Sequence, residues 1–176
     1  MMLDDVQISH HVHTHRPAKT VQLNAMQRFF ATCPENCFQK VPFGYAPFTM
    51  AQRLGAIARN GTKLLGVGFF ASLTGVGITN ALIALRQILD PAWQPLNAPQ
   101  NVLVMSAAYA SYMATSSNLR YQVVAGVLEE RGVEVLFKNN PALCAAFSFV
   151  IRTSNTFLGS LMWVDYIRLL GLQPKS

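Results

Sequence analysis

Arg152 stands near the middle of an apolar run, and Asn155 and Thr156 follow it closely. A charge at bilayer depth costs several kcal/mol unless it faces protein or water. Asn118 and Arg120 close a second apolar stretch, and Asn80 lies inside a third. These residues could form a polar cluster that contacts a polar or carboxylate-bearing solute. Arg152 or Arg120 would then pair with the anionic group through charge-assisted hydrogen bonds. Asp165 adds a carboxylate that could take a cation or a coupling proton. The structural alternatives stay open. Arg152 or Arg120 could pair with Glu129, Glu130 or Asp165, and a later helix start would leave Arg152 at the interface. Asp165 lies beside Trp163 and Tyr166, so an interfacial, solvated carboxylate competes with the cation-binding reading.

His10, His11, His13 and His15, with Cys33 and Cys37, invite a zinc reading. Tetrahedral zinc wants paired ligands at set spacings. The HHVHTH run lacks them and Pro34 intervenes between the cysteines, so no metal site is assigned. Cys144 sits in an apolar run and reads as an inert buried thiol. Catalytic motifs are missing as well: no G-x-S-x-G, no HExxH and no phosphate-binding glycine loop. All four histidines precede residue 20, so no general base accompanies Cys144 or any serine. We expect no catalytic residues and no cofactor.

The elements that must position the polar residues are helices. Leu64 to Leu85 is uncharged over about 22 residues, bracketed by Lys63 and Arg86, and spans roughly 30 Å. Within it Gly68, Ser72, Gly75 and Thr79 line one face with small residues, as helix packing in lipid requires. Thr49 is a cap for a helix through MAQRLGAIARN, after a loop over 41–49. The stretch before Pro34 predicts a short amphipathic helix with Leu23, Met26, Phe29 and Phe30 on one side. Residues 90–101 hold three prolines and read as a loop. Val102 to Leu119 is a second span, rich in hydroxyls that prefer partners to lipid. Residues 120–138 read as a separate interfacial or bundle-capping helix. Pro141 opens a third span, apolar from Ala142 to Val164. The expected fold is all-α: a helical integral membrane protein with about three transmembrane helices plus amphipathic helices. Residues 1–20 form a polar, His-rich disordered tail, and 21–176 form the membrane domain.

Composition supports this medium. Charged residues are 12% of the 176, against roughly 25% in soluble domains, and 51% are hydrophobic. The net charge is +6, yet the basic residues form no dense run, which argues against nucleic acid. Arg53, Arg59 and Lys63 instead flank the long apolar stretch, as the positive-inside rule expects. The first residues, MMLDDV, are neither a secretory signal nor a transit peptide.

Four blocks carry a family resemblance: FFATCPENCFQ, QRLGAIARNGTKLLGVGFFASLTGVGITNALI, YMATSSNLRYQVVAGVLEERGVE and RTSNTFLGSLMWVDYIRLLGLQ. In this order they resemble the RETICULATA-related proteins of plastids. The start of the chain departs from the family pattern, and Cys37 stands where a small residue is expected. The resemblance implies a chloroplast envelope membrane location, a role in leaf development and plastid amino-acid metabolism, and transport of amino acids or related metabolites. A non-transporting membrane scaffold or assembly factor is the second reading. Three spans are few for a pathway in one chain, so the lipid bilayer and either further copies of the chain or other membrane proteins are the expected partners.

Overall fold

A computed structural model describes residues 24–96 and 98–173. All regular structure among them is helical. The histidine tail and Leu23 lie outside the described residues.

Helix α1 (Ala25–Ala31) opens on a capping box between Asn24 and Gln27. Helix α2 (Met50–Leu89) is capped by Thr49, whose side chain accepts the Gln52 N–H at 3.2 Å. The expected short helix after Thr49 and the apolar span are one element of 40 residues. No proline or cap interrupts the register between Arg59 and Leu64, so the hydrogen-bond ladder continues. The helix ends at Asp90, directly before Pro91, which disfavours helical geometry in its predecessor. Among the described helices, α2 alone is long and apolar enough to cross a membrane, and only 6% of its most apolar window is buried.

Asn101 caps the next run by accepting the Val104 N–H at 3.1 Å. Helix α3 (Val102–Tyr112) passes through a π-helical stretch (Met113–Ser117) into α4 (Asn118–Val123). A longer π-helical stretch (Val124–Val133) leads to the short α5 (Glu134–Leu136). The segment over 120–138, expected as a separate helix, therefore continues the one before it. No turn residue separates them, and the wider π ladder absorbs the change of face. Helix α6 (Pro141–Leu169) begins with Asn140 as cap and proline in the first turn. It ends in a Schellman motif: Gly171 has φ +68°, Leu172 N–H reaches Ile167 O at 2.9 Å, and Gly171 N–H reaches Arg168 O at 3.1 Å.

Helices α2 and α3 pack closely because small residues meet at their crossing. A Cβ on Gly68 would lie 3.3 Å from Ala110 Cα, and one on Gly61 would lie 3.2 Å from Ala114 O. Further along the same stripe Gly75 faces open space. Most buried positions are apolar, among them Ala56, Met105 and Tyr112, but the deepest large side chains are polar and many large apolar ones lie outside. The largest fully buried side chains are Gln122, Asn118 and Ser106, while Phe70, Leu82, Phe149 and Phe157 are each at least 60% exposed. Cys144, expected to be buried, is half-buried, because the start of α6 has little packed against it.

Candidate functional site

The six polar residues singled out by sequence separate into five places. Asn80 pins the loop before α3: its Nδ2 donates to Gln100 O at 2.7 Å and its Oδ1 accepts the Gln100 N–H at 3.2 Å. Asn118 belongs to a buried relay. Its Nδ2 donates to Ile57 O at 2.9 Å, and its Oδ1 accepts Gln122 Nε2 at 3.1 Å. Gln122 Oε1 in turn accepts the Cys37 N–H at 2.7 Å, across 85 residues of sequence. Asp165 is surface-exposed, 3.8 Å from Arg168.

Arg152 meets Glu129 in a two-point pair, Nε to Oε1 at 2.6 Å and Nη2 to Oε2 at 2.7 Å. The fork geometry matches guanidinium to carboxylate and uses both carboxylate oxygens. The structural alternative for Arg152 is thus the one the fold adopts. Glu129 lies on the longer π stretch, facing the first half of α6.

Arg120 and Asn155 are brought together. Arg120 Nη1 donates to Asn155 O at 3.1 Å, Nη2 to Tyr112 Oη and to Ser117 Oγ at 3.1 Å each, and Nε to Ser116 O at 3.4 Å. Every acceptor is neutral, and one guanidinium N–H is left over. Tyr112 Oη donates to Gly159 O at 2.6 Å, which fixes the ring against α6. Gly159 is buried because the guanidinium lies on it.

This arginine forms one wall of a cavity of about 620 Å³ between α2, α3–α4 and α6. Such a volume lies in the ordinary range for small-molecule sites. Lys63, Asn60 and Glu35 edge it, and Tyr109, Tyr112 and Trp163 form its aromatic wall. Trp163 and Tyr166 both turn toward α3: Trp163 stacks edge-on to Tyr109 with centroids 5.0 Å apart, and Tyr166 shares a hydrogen bond with Ser111 at 2.8 Å. The face of α3 that they meet carries Tyr109, Ser111 and Tyr112, which offer ring faces and a hydroxyl as partners. The sequence did carry a signal for this wall: Asn155, Gly159 and Trp163 recur at four-residue spacing, and Tyr109 and Tyr112 at three.

The cavity is held against a loop that sequence reading left unassigned. Arg59 Nη2 donates to Pro34 O at 2.7 Å and Nη1 to Phe30 O at 3.0 Å. Arg53 Nη1 donates to Cys37 O, and Asn60 Nδ2 to Glu35 O at 2.7 Å. From the other side, Arg131 Nη2 donates to Phe38 O at 2.7 Å and Glu130 Oε1 accepts the Lys40 N–H at 2.8 Å. Two of the basic residues assigned to a membrane flank therefore also tie residues 30–40 to α2. Burial pushes the Cys37 thiol up, partly offset by a backbone hydrogen bond and the charge of Arg53.

The fold and site define an all-helical protein with a cationic, aromatic-walled cavity between its long helices. The chain belongs to the RETICULATA-like family, described as "Protein RETICULATA-related", whose model matches residues 9–127. It is 46% identical over 160 residues to the chloroplastic protein RETICULATA-RELATED 4 of Arabidopsis thaliana, covering 91% of this chain and 41% of that one. RETICULATA-RELATED 5 of the same plant is 36% identical over 158 residues, covering 88% and 21%. RETICULATA itself is 33% identical over 129 residues, covering 72% and 29%. The chain thus spans less than half the length of these relatives. All three are chloroplastic, and the plastid is the location of this chain. No solved structure matches it.

Proposed function

We propose that this chain is embedded in the plastid envelope and moves a small carboxylate-bearing metabolite, an amino acid or a close relative of one. The observation that carries the reading is Arg120: a guanidinium at a cavity wall, surrounded by neutral acceptors, with a donor left over. A carboxylate entering the cavity would supply the missing charge, while the tyrosine and tryptophan faces would hold an apolar body. Arg152, whose charge Glu129 already balances, takes no part in solute contact.

The exposed apolar surface supports a lipid surround. In water, exposed Phe70 and Phe157 beside buried Gln122 and Asn118 would place each group in the wrong solvent. In hydrocarbon the arrangement is favourable, because the buried amides of Gln122 and Asn118 are hydrogen-bonded within the protein. Helix α2 is the principal span, with the helical run over 102–136 and α6 as its companions. Three spans leave the path open on one side, so a second copy or another membrane protein would complete it. We assign no catalytic role. Amino-acid supply through the envelope is the route by which the family would influence leaf development.

A second reading, a non-transporting scaffold, draws on Gly75 in the small-residue stripe of α2. A Cβ there would meet nothing within 4 Å, which leaves that part of the stripe free for a partner helix. Uptake of labelled amino acids into proteoliposomes separates the two. Saturable flux that Arg120→Leu abolishes and Arg120→Lys weakens supports transport. Stable co-purifying partners with no flux support the scaffold and overturn the transport reading.

A further inference from the structure

A second cavity of about 460 Å³ lies further along α2, lined by Ser72, Gly75, Thr79 and Asn80. It shares two residues with the Arg120 cavity, Tyr109 and Trp163. On α2 the first cavity begins at Asn60 and the second ends at Ile83. That distance is roughly 35 Å of helix, close to a bilayer core. The aromatic pair stands where the two meet.

We infer that the two cavities are successive chambers of one path, and that Tyr109 and Trp163 are the partition between them. This rests on the transport reading. The rings of the aromatic group are not equally held. Tyr112 is fixed through its hydroxyl to Gly159 O at 2.6 Å, and Tyr166 is fixed to Ser111 at 2.8 Å. The Tyr109 hydroxyl and the Trp163 indole N–H make no hydrogen bond among the described residues. They meet edge to face, 5.0 Å apart at 86°. An edge-to-face contact contributes on the order of 1 kcal/mol, and it is the one ring contact of Tyr109 among the described residues. Trp163 also packs on Tyr112 and Tyr166, with centroids 5.4 and 6.0 Å away, so Tyr109 changes rotamer at the lower cost. Two anchored rings and the Trp163 indole packed on them therefore frame one ring, Tyr109, that can swing. An apolar constriction of this kind holds back water and ions until a ring moves. The chamber beyond it offers hydroxyl and amide groups and no charge. A solute leaving Arg120 would pass there into weaker binding, as release requires.

Chloride efflux from loaded proteoliposomes tests the partition without assuming any metabolite. Wild-type vesicles hold chloride. Trp163→Ala and Tyr109→Ala each raise efflux about tenfold. Adding Arg120→Leu to Trp163→Ala lowers it again, because the leak path loses its cation. Trp163→Leu and Tyr109→Leu keep apolar bulk without the ring and decide the matter where an alanine variant fails to fold. Properly inserted, monodisperse variants that hold chloride as tightly as wild type overturn the partition. If they leak while wild-type vesicles take up no labelled amino acid, the partition stands and the solute assignment falls.

Discussion

Gly159 has no side chain where the guanidinium of Arg120 rests: a Cβ built there would lie 2.5 Å from Nη1 and 2.7 Å from Nη2. One glycine on α6 thus sets how far a cation on α4 can reach. Its own carbonyl accepts the Tyr112 hydroxyl, and that hydroxyl accepts from Arg120, so glycine, tyrosine and arginine hold one another.

Gly159→Ala is expected to push the guanidinium out of the cavity wall or the helices apart, at a cost of about 1–3 kcal/mol. Thermal unfolding in detergent reads the loss. Solute binding should fall as it does in Arg120→Leu, although no hydrogen-bonding side chain has been removed. Binding that matches wild type would mean the arginine's position is not set by this contact.

Arg152→Leu leaves Glu129 without its partner, and the carboxylate side chain is only 8% exposed. The expected destabilisation is about 1–3 kcal/mol, toward the lower end because Arg152 itself is 58% exposed and water can reach the pair. Glu129→Gln added to Arg152→Leu should recover most of it. Flux per folded protein should be unchanged in the double variant. A double variant that folds but no longer transports would return Arg152 to the list of solute contacts.

Phe70 separates the two possible solvents. It is 66% exposed on α2. On a protein in water Phe70→Arg would be close to neutral. At the centre of a spanning helix it costs roughly 2.5–3.5 kcal/mol of insertion energy. Membrane insertion measured by carbonate extraction should drop sharply. Unchanged insertion would show that α2 does not have lipid around this position.

Cys37 links the loop over 30–40 to pH. Burial raises its thiol above the ordinary value of 9.0, so the folded state keeps a proton that the unfolded chain releases first. The unfolded state then binds fewer protons, and stability falls as pH rises past 9.0 through the folded value. Below that range the thiol is neutral in both states and contributes no slope. Melting temperatures on either side of 9.0 should show the decline, and Cys37→Ala should flatten it. Alkylation at neutral pH should be slow, because the thiolate is scarce and the sulfur is buried.

The long apolar helix, its cap at Thr49, the opening of the last helix at Pro141 and the all-helical class were readable from residues in order. They depend on interactions within one or two turns. The same reading placed a helix boundary near residue 120 where none exists, since a change of apolar face resembles a new element. A π-helical stretch produces that change without a break. The arginines were harder. Arg120 and Arg152 look alike in sequence, each beside asparagine and hydroxyl residues. Only the crossing of α6 over the 102–136 run puts Glu129 under one and leaves neutral oxygens around the other.

By itself the sequence determined which stretches are helical and that one of them is long and apolar enough to cross a membrane, because periodicity, capping and hydropathy act locally. The tertiary structure alone decided which cation is balanced and which faces a cavity, and that two aromatic rings meet between two chambers. Those outcomes depend on distances between side chains far apart along the chain, and such distances are fixed only once the helices have packed.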